Sequence, residues 1–312
     1  MNGKRFGPGS IFRPQPRRIF TQRDGMIWQK IIFTLVTLAA VVAMAFAYGA
    51  YRWNNGTDAL RAELLAARTP MQPQSFDPAE LNGLPAPVQR YFRAALKPGL
   101  PMVSLVKIEH AGTFNMSESG EQWSGFTSTQ LVVTRRPGFD WDGRIAMVPG
   151  VNVHVHDAYV NGKGILRASL AGLATLADMP DTPALAEGEL MRFFAEAAWY
   201  PTALLPSQGV RWEAVGDISA RATLKDGDTV VTLLFEFDDE GLIGTVRAEA
   251  RGRTVDGKVV PTPWQGRFWN YEERNGMRIP LEGEVSWVLP GGEKPYWRGR
   301  VTRIAYEPEA RR

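Results

Sequence analysis

Residues 241–251 read GLIGTVRAEAR, and their alternation of apolar and polar side chains decides the fold. Successive side chains of a β-strand point to opposite faces. One face of this strand holds Leu242, Gly244, Val246, Ala248 and Ala250, and the other holds Thr245, Arg247, Glu249 and Arg251. A strand with one apolar and one polar face is typical of an antiparallel sheet that is covered on one side.

Turn sequences recur along the chain. They are Ser119-Gly120, Pro149-Gly150, Asn161-Gly162, Asp226-Gly227, Asp239-Glu240-Gly241, Asn275-Gly276 and Pro290-Gly291-Gly292. Each turn separates two β-prone runs, which predicts about 10 to 12 strands joined by hairpins. Apolar residues at helical spacing predict helices over 87–96 and 186–199, and a third short helix around 169–177.

Few helices and many consecutive hairpins set the fold class. We predict a mainly β protein with a few helices (α+β), in which a large curved antiparallel sheet or half-barrel packs on helices. A single N-terminal transmembrane helix precedes this sheet.

That transmembrane helix is predicted from residues 31–51, which carry no charge. At about 1.5 Å per residue a helix of this length spans roughly 31 Å, the thickness of a bilayer's hydrocarbon core. Two cleaved alternatives are a signal peptide ending at Ala45-Phe46-Ala47 and a twin-arginine signal at Arg17-Arg18. The uncleaved anchor is favoured because the apolar run continues beyond the small-residue site.

Charge is distributed unevenly along the 312 residues, whose formal net charge is +3. Residues 1–30 carry seven basic side chains and one acidic side chain, so the remainder is net acidic by three charges. The positive-inside rule places this tail in the cytoplasm, close to anionic lipid, and the C-terminal part outside the inner (cytoplasmic) membrane. Nucleic acid is therefore not an expected partner. The chain has no cysteine, which excludes disulfides and a lipid-modified cysteine.

These features divide the chain into four parts. Residues 1–30 form a disordered basic tail, 31–51 the transmembrane helix, 52–83 a short helix and a proline-rich spacer, and 84–312 an exported β-rich domain. Within 52–83 the helix is expected over 57–68.

Aromatic side chains mark the candidate ligand site. Tryptophan and tyrosine lie on both faces of the strand around Trp264 and Trp269, and Trp287 and Trp297 follow in the next two strands. Core packing explains one face of each strand, and a concave face lined with aromatic rings suits an acyl chain or another apolar ligand. The predicted ligand-binding residues are Trp199, Tyr200, Trp264, Trp269, Trp287, Trp297, Glu189 and Glu196.

Two further groups of residues are candidates for catalysis or metal binding. Glu189 and Glu196 lie seven residues apart on one helix, which suits acid–base catalysis but equally an exposed, ion-paired helix face. His154 and His156 share one face of a strand and could hold zinc, but Asp157 faces away from both and a third ligand is missing. We therefore predict no catalytic residues, no metal and no cofactor.

Three strings resemble an uncharacterised bacterial family, a domain of unknown function usually found behind one membrane anchor. They are residues 84–92 (LPAPVQRYF), 188–206 (GELMRFFAEAAWYPTALLP) and 264–306, which include NGMRIP at 275–280. The resemblance implies no activity. The architecture is also similar to the half-barrel carriers of the lipoprotein-sorting system, but a carrier tethered by a transmembrane helix cannot shuttle.

The sequence supports three hypotheses of function. The first is a membrane-anchored extracytoplasmic domain that binds an apolar or lipid-like ligand, or an envelope protein, without catalysis. The second is an extracytoplasmic hydrolase that uses Glu189 or Glu196. The third is a structural subunit that docks on a membrane complex through exposed aromatic residues.

Overall fold

The structure is a computed structural model of the chain, and it describes residues 22–70, 74–117, 120–255 and 257–308. The predicted tail lies outside the described residues as far as position 21. Two compact units divide the chain, Met1–Ala47 and Tyr48–Arg312, and the second unit contains the entire sheet.

Helix α1 is a single helix, Gln22–Ala66. Part of it, Met26–Ala66, contains a stretch that is long and apolar enough to cross a membrane. The helix does not end where the apolar run ends. Its last turns belong to the second unit, where Leu60 and Leu64 are buried against the sheet.

In the part of the chain that the structure describes, thirteen strands form one antiparallel sheet. They are β1 (Val103–Asn115), β2 (Trp123–Val133), β3 (Gly138–Val148), β4 (Val151–Val160), β5 (Lys163–Leu170), β6 (Ala174–Asp178), β7 (Arg211–Gly216), β8 (Ser219–Asp226), β9 (Thr229–Phe237), β10 (Ile243–Val255), β11 (Lys258–Arg274), β12 (Met277–Leu289) and β13 (Gly292–Pro308). Strands β1 to β6 form one meander and β7 to β13 another. The two meanders are joined where β1 pairs with β13.

The tight turns have the backbone that their sequences demand. Asn161 and Gly162 have φ of 53° and 82°, and Asn275 and Gly276 have φ of 50° and 81°. Two successive positive φ values define the type I′ turn, whose twist matches that of a hairpin. The hairpin prediction is therefore confirmed, with one strand more than the highest expected number.

Helix α2 (Ala86–Ala95) and helix α3 (Pro183–Ala195) cover one face of the sheet, which we call the inner face. Thr182 caps α3 by accepting a hydrogen bond from the Leu185 N–H at 3.2 Å, and Pro183 occupies the first turn. Short 3₁₀ helices follow at Glu196–Trp199, Pro201–Leu204 and Pro206–Gln208, and another precedes α2 at Pro78–Leu81.

Contacts of α3 show how strongly the sheet curves. The helix touches β3, β4 and β5 and also β9 and β10, which lie far apart in the strand order. A flat sheet cannot bring both groups to one helix, so the sheet wraps around α3. Gly164 on β5 permits the closest approach, since a Cβ there would lie 2.6 Å from the Ala186 nitrogen.

Two parts of the sequence prediction need correction. From residue 74 onward the expected spacer is packed on the domain, because Phe76 and Leu81 are buried in the main core. The third short helix expected around 169–177 is instead a turn followed by the edge strand β6. Gly172, with φ of 71°, makes the turn that helical spacing alone does not reveal.

Candidate functional site

The end of α1 packs on the outer face of the sheet, opposite α2 and α3. Leu60 and Leu64 join Leu105, Leu131, Val133, Ala158 and Val160 in a second apolar cluster, separate from the main core. This cluster fixes the helix over β1 to β4. Gly138 makes room for it, because a Cβ at that position would lie 2.6 Å from a methyl group of Leu64.

Polar side chains hold the same part of α1 in register. The Trp53 indole N–H donates to Asp142 Oδ1 at 2.9 Å, and its ring stacks on His156 with centroids 4.4 Å apart. Arg61 donates through Nε to the fully buried Asp140 at 2.8 Å. Asp140 also contacts His156 Nδ1 at 2.8 Å, so helix and sheet share one buried polar network.

A groove lies beside α1 on this outer face, over β1, β2 and β13. Its volume is about 580 Å³. The floor is apolar and includes Leu105 and Leu131, which are buried, and Leu65 of α1, which is 40% exposed. The volume of the groove is usual for small-molecule sites, and its exposed apolar surface comes mainly from Leu65 and Ala305.

Four basic side chains surround this apolar floor, against two acidic ones, Glu109 and Glu307. The basic residues are Arg61, Arg68, Lys107 and Arg303. Lys107 Nζ pairs with Glu307 at 2.7 Å, and Arg303 Nη1 lies 3.6 Å from Glu109. Both pairs are at the surface, where an ion pair is worth only about 0–1 kcal/mol. An anionic ligand can therefore displace either carboxylate at little cost in free energy.

Arg68 differs from the other cations of the groove. Its guanidinium donates to the Ser104 hydroxyl at 2.7 Å. Within the described residues it has no carboxylate partner closer than 4.0 Å. Its positive charge is thus available to a ligand at the rim.

A second hollow of about 360 Å³ adjoins the groove, and the two share Glu109 and Thr129. Its lining is polar, with the hydroxyl groups of Thr127 and Thr302 and the ion pair between Arg144 and Asp142. The outer face thus carries two neighbouring hollows, and Glu109 and Thr129 line both.

The inner face carries a different group of charged residues around α3. Arg192 donates to Asp157 of β4 and, at 2.7 Å, to Glu196. Glu196 also accepts from the Gln130 amide at 2.6 Å, and Arg251 of β10 lies 3.3 Å from Glu189. These interactions tie α3 to both halves of the curved sheet.

Glu189 and Asp157 form a carboxyl pair within this group. Burial, and then the neighbouring Asp157 charge, raise the pKa of Glu189 well above its usual range, although Arg251 and Arg192 act in the opposite direction. In the described part of the chain, Glu189 Oε2 and Asp157 Oδ1 are buried and face no donor. One proton shared between the two carboxyl groups satisfies both oxygens, as in other paired carboxylates.

The predicted ligand-binding residues do not form one open site. Trp199, Tyr200, Trp264 and Trp297 are buried in the main core beneath the helical segments. Trp287 is half-buried and stacks on Tyr296, with ring centroids 5.8 Å apart.

Trp269 is separate from these rings. It is 43% exposed, and its indole N–H donates to Glu282 at 2.9 Å. It therefore stays a prediction that the eight side chains bind a ligand together. The groove beside α1 lies on the opposite face of the sheet.

The histidine pair lies where the strand pattern places it, with His154 and His156 on the outer face and Asp157 on the inner one. Helix α1 partly covers this face here, so that His156 is buried beneath Trp53 and His154 is half-buried. Burial and the Arg144 charge lower the pKa of His154 to about 4, and burial and Arg192 lower the pKa of His110 to about 3. No group of three potential ligands suited to a metal occurs among the described residues.

The sequence reading missed the groove because its lining comes from four separate elements. One signal was present: Arg61, Leu65 and Arg68 are spaced by four and three residues, which aligns them on one side of a helix. Nothing in the sequence showed that β1, β2 and β13 would face that side.

Two solved structures are distantly similar to this chain. A crystal structure of the LolA superfamily protein NE2245 from Nitrosomonas europaea is 12% identical, with a TM-score of 0.28, and the match covers 78% of this chain and 92% of that one. A beta-barrel-like protein of domain of unknown function DUF1849 from Brucella abortus is also 12% identical, with a TM-score of 0.19 and coverage of 66% and 99%. These similarities carry no functional argument.

No curated protein matches the chain. A family model does, over residues 82–306, and its description is a family of unknown function, DUF6920. The matched region takes in both meanders, α2 and α3, and it covers more than half of the 312 residues. The chain therefore belongs to the DUF6920 family.

Proposed function

We propose that this protein is a single-pass inner-membrane protein whose extracytoplasmic domain binds an anionic, lipid-like amphiphile, without catalysis, in the groove beside α1. The observation that carries this proposal is the combination of an open apolar floor with a rim of four basic side chains. The floor matches a hydrocarbon chain and the rim matches a negatively charged headgroup.

The apolar part of the argument rests on Leu65. The other large apolar residues of α1 beyond residue 52, Trp53, Leu60 and Leu64, are buried. Leu65 is 40% exposed and lines the groove with Leu105 and Leu131. Removing such surface from water is worth about 25 cal/mol per Å². A bound alkyl chain would therefore be stabilised here mainly by burial of the exposed part of Leu65.

The charged part of the argument rests on Arg68. Arginine binds phosphate and carboxylate groups through two parallel N–H donors. Arg68 already orients its guanidinium through Ser104, and Lys107 lies on the same rim. An anionic headgroup can bind Arg68 without first breaking an ion pair.

The membrane anchor completes the proposal. Helix α1 contains the apolar stretch, and the basic residues before it favour a cytoplasmic N-terminus. With this orientation the sheet lies outside the cytoplasmic membrane, where lipid is the most abundant amphiphile. The basic tail is then placed beside the anionic inner leaflet.

The inner carboxyl groups do not favour the hydrolase alternative. Glu189 is 4% exposed, and Arg192 engages both Asp157 and Glu196. A general acid must reach the substrate to within hydrogen-bond distance. The contacts of these residues instead suit the docking of α3.

Lipid analysis of the purified protein tests the proposal. The full chain is purified in mild detergent, and bound lipid is identified by native mass spectrometry and by extraction. We expect an anionic amphiphile to co-purify with the natural chain and to be lost from Arg68→Glu. The matched control is Arg221→Glu, an exposed arginine on β8, which should retain the ligand. Equal retention by both variants, or absence of any amphiphile, would overturn the proposal.

A further inference from the structure

Two neighbouring hairpins have no charged side chain at their tips or in the strand residues beside them. Residues 145–153 surround the β3–β4 turn, residues 168–177 surround the β5–β6 turn, and neither segment contains a charged side chain. Turns at the opposite end of the sheet are charged, with Arg135 and Arg136 between β2 and β3 and Lys163 after the β4–β5 turn.

Large apolar side chains are exposed on these two hairpins. Met147 and Val148 are 51% and 58% exposed, and Leu173 and Leu176 are 37% and 56% exposed. We call these four residues the tip patch. Their two turns are adjacent, since the Ala171 N–H donates to the Asn152 carbonyl at 2.9 Å. The four apolar side chains therefore lie near one another at one end of the sheet.

The tip patch lies against the helix at the end of its uncharged run. Gly49 and Gly172 meet so closely that a Cβ on either would overlap backbone of the other segment, at Ala171 and Gly49 respectively. Arg52 reaches the Leu173 carbonyl at 3.4 Å. The β5–β6 turn is thus packed on the helical turn where the apolar residues give way to the first charge.

The flanking side chains are those of a membrane interface. Tyr48 and Tyr51 are 61% and 65% exposed on this part of α1, and Arg52 follows them. Tyrosine and arginine are enriched at headgroup depth, where an apolar ring or stem and a polar end are both accommodated. A surface continuous with this turn is at the same depth.

We propose that the tip patch enters the headgroup boundary of the bilayer beside residues 48–52, so that two hairpins and a helix hold the domain against the membrane. This inference rests on the proposed membrane anchor but is independent of the groove ligand. Uncharged hairpin tips suit this environment because an apolar surface buried about 5–10 Å into the interface is stabilised there.

The absence of cysteine permits a direct test. The full chain is reconstituted in vesicles of phosphatidylcholine and phosphatidylglycerol, with one environment-sensitive fluorophore on Val148→Cys, Leu173→Cys, Lys163→Cys or Val42→Cys. We expect a spin label in the lipid to quench positions 148 and 173, and aqueous iodide to quench only position 163. Position 42, within the apolar run, reports on the anchor.

The outcomes separate the two proposals. If position 42 is quenched by the lipid spin label while 148 and 173 are quenched by iodide, the tip inference is wrong and the anchor stands. If position 42 is also quenched by iodide, the anchor fails and the tip inference fails with it. Protection of 148 and 173 from both quenchers would mean that protein covers the tips, which contradicts the inference.

Discussion

Replacing Glu189 by glutamine tests whether this residue is protonated in the folded protein. If Glu189 shares a proton with Asp157, the side-chain amide introduced by Glu189→Gln can donate to Asp157 in place of that proton. The two forms then carry the same charge beside Arg192 and Arg251. We therefore expect the variant to fold with the natural stability at mildly acidic pH.

The size of the expected effect follows from the pH dependence of the free energy of unfolding. The folded state keeps a proton that the unfolded chain loses above the ordinary Glu pKa of 4.5, so stability is full below that pH and falls as pH rises toward the raised value. The slope for one proton is about 1.4 kcal/mol per pH unit. Glu189→Gln removes this slope, and the variant should be the more stable form at pH 7.5.

Thermal unfolding of the full chain in detergent, followed by tryptophan fluorescence between pH 5 and 8, measures the effect. A change of 1 kcal/mol shifts the melting temperature of a domain this large by about 2–4 °C. Glu187→Gln is the matched control, because Glu187 is exposed on the same helix. A loss of about 3–5 kcal/mol at pH 7.5 would refute the reasoning, since that is the cost of removing the charge partner of a buried arginine.

Three further predictions concern the outer face and the histidines. Leu64→Ala should lower the free energy of unfolding by about 2–5 kcal/mol because it opens a cavity in a buried cluster, whereas Leu65→Ala should change it by less than about 0.5 kcal/mol. Chemical denaturation compares the two variants directly, and equal losses would contradict the packing described. Trp53→Phe should cost about 1–3 kcal/mol by removing one hydrogen bond to the buried Asp142 carboxylate, which keeps Arg144 as a donor. An unchanged melting curve would show that α1 is not held by this contact. His110 and His154 should show no NMR titration between pH 5 and 8, since burial lowers their pKa values to about 3 and about 4. A titration midpoint near 6.5 in either ring would contradict this prediction.

The hairpin architecture was readable from the sequence because it is encoded locally. Asn161-Gly162 and Asn275-Gly276 adopt positive φ with little strain, so each pair specifies a type I′ turn whatever the rest of the chain does. The alternation in β10 was equally local as far as Ala248. Beyond it a register shift buries Arg251 and exposes Ala250, the reverse of what the alternation predicts. These elements were predicted at the positions where they occur.

Features that depend on residues far apart in the chain could not be predicted from the sequence. Glu189 has the spacing of an exposed ion-paired helix face, and it is buried only because β10 brings Arg251 across the curved sheet. The same holds for α1. Its apolar residues at 60 and 64 looked like part of a short connecting helix, and the strands that cover them lie as far away as β4.

The groove is the central claim, and photo-crosslinking tests it most directly. The full chain is placed in nanodiscs with phosphatidylglycerol that carries a diazirine in its acyl chain, and crosslinked peptides are mapped by mass spectrometry. We predict crosslinks in the apolar run of α1 and, in addition, at Leu65, Leu131 and Ala305 of the groove. Crosslinks at Trp199 and Trp264 of the inner face, or none beyond the apolar run, would contradict the account.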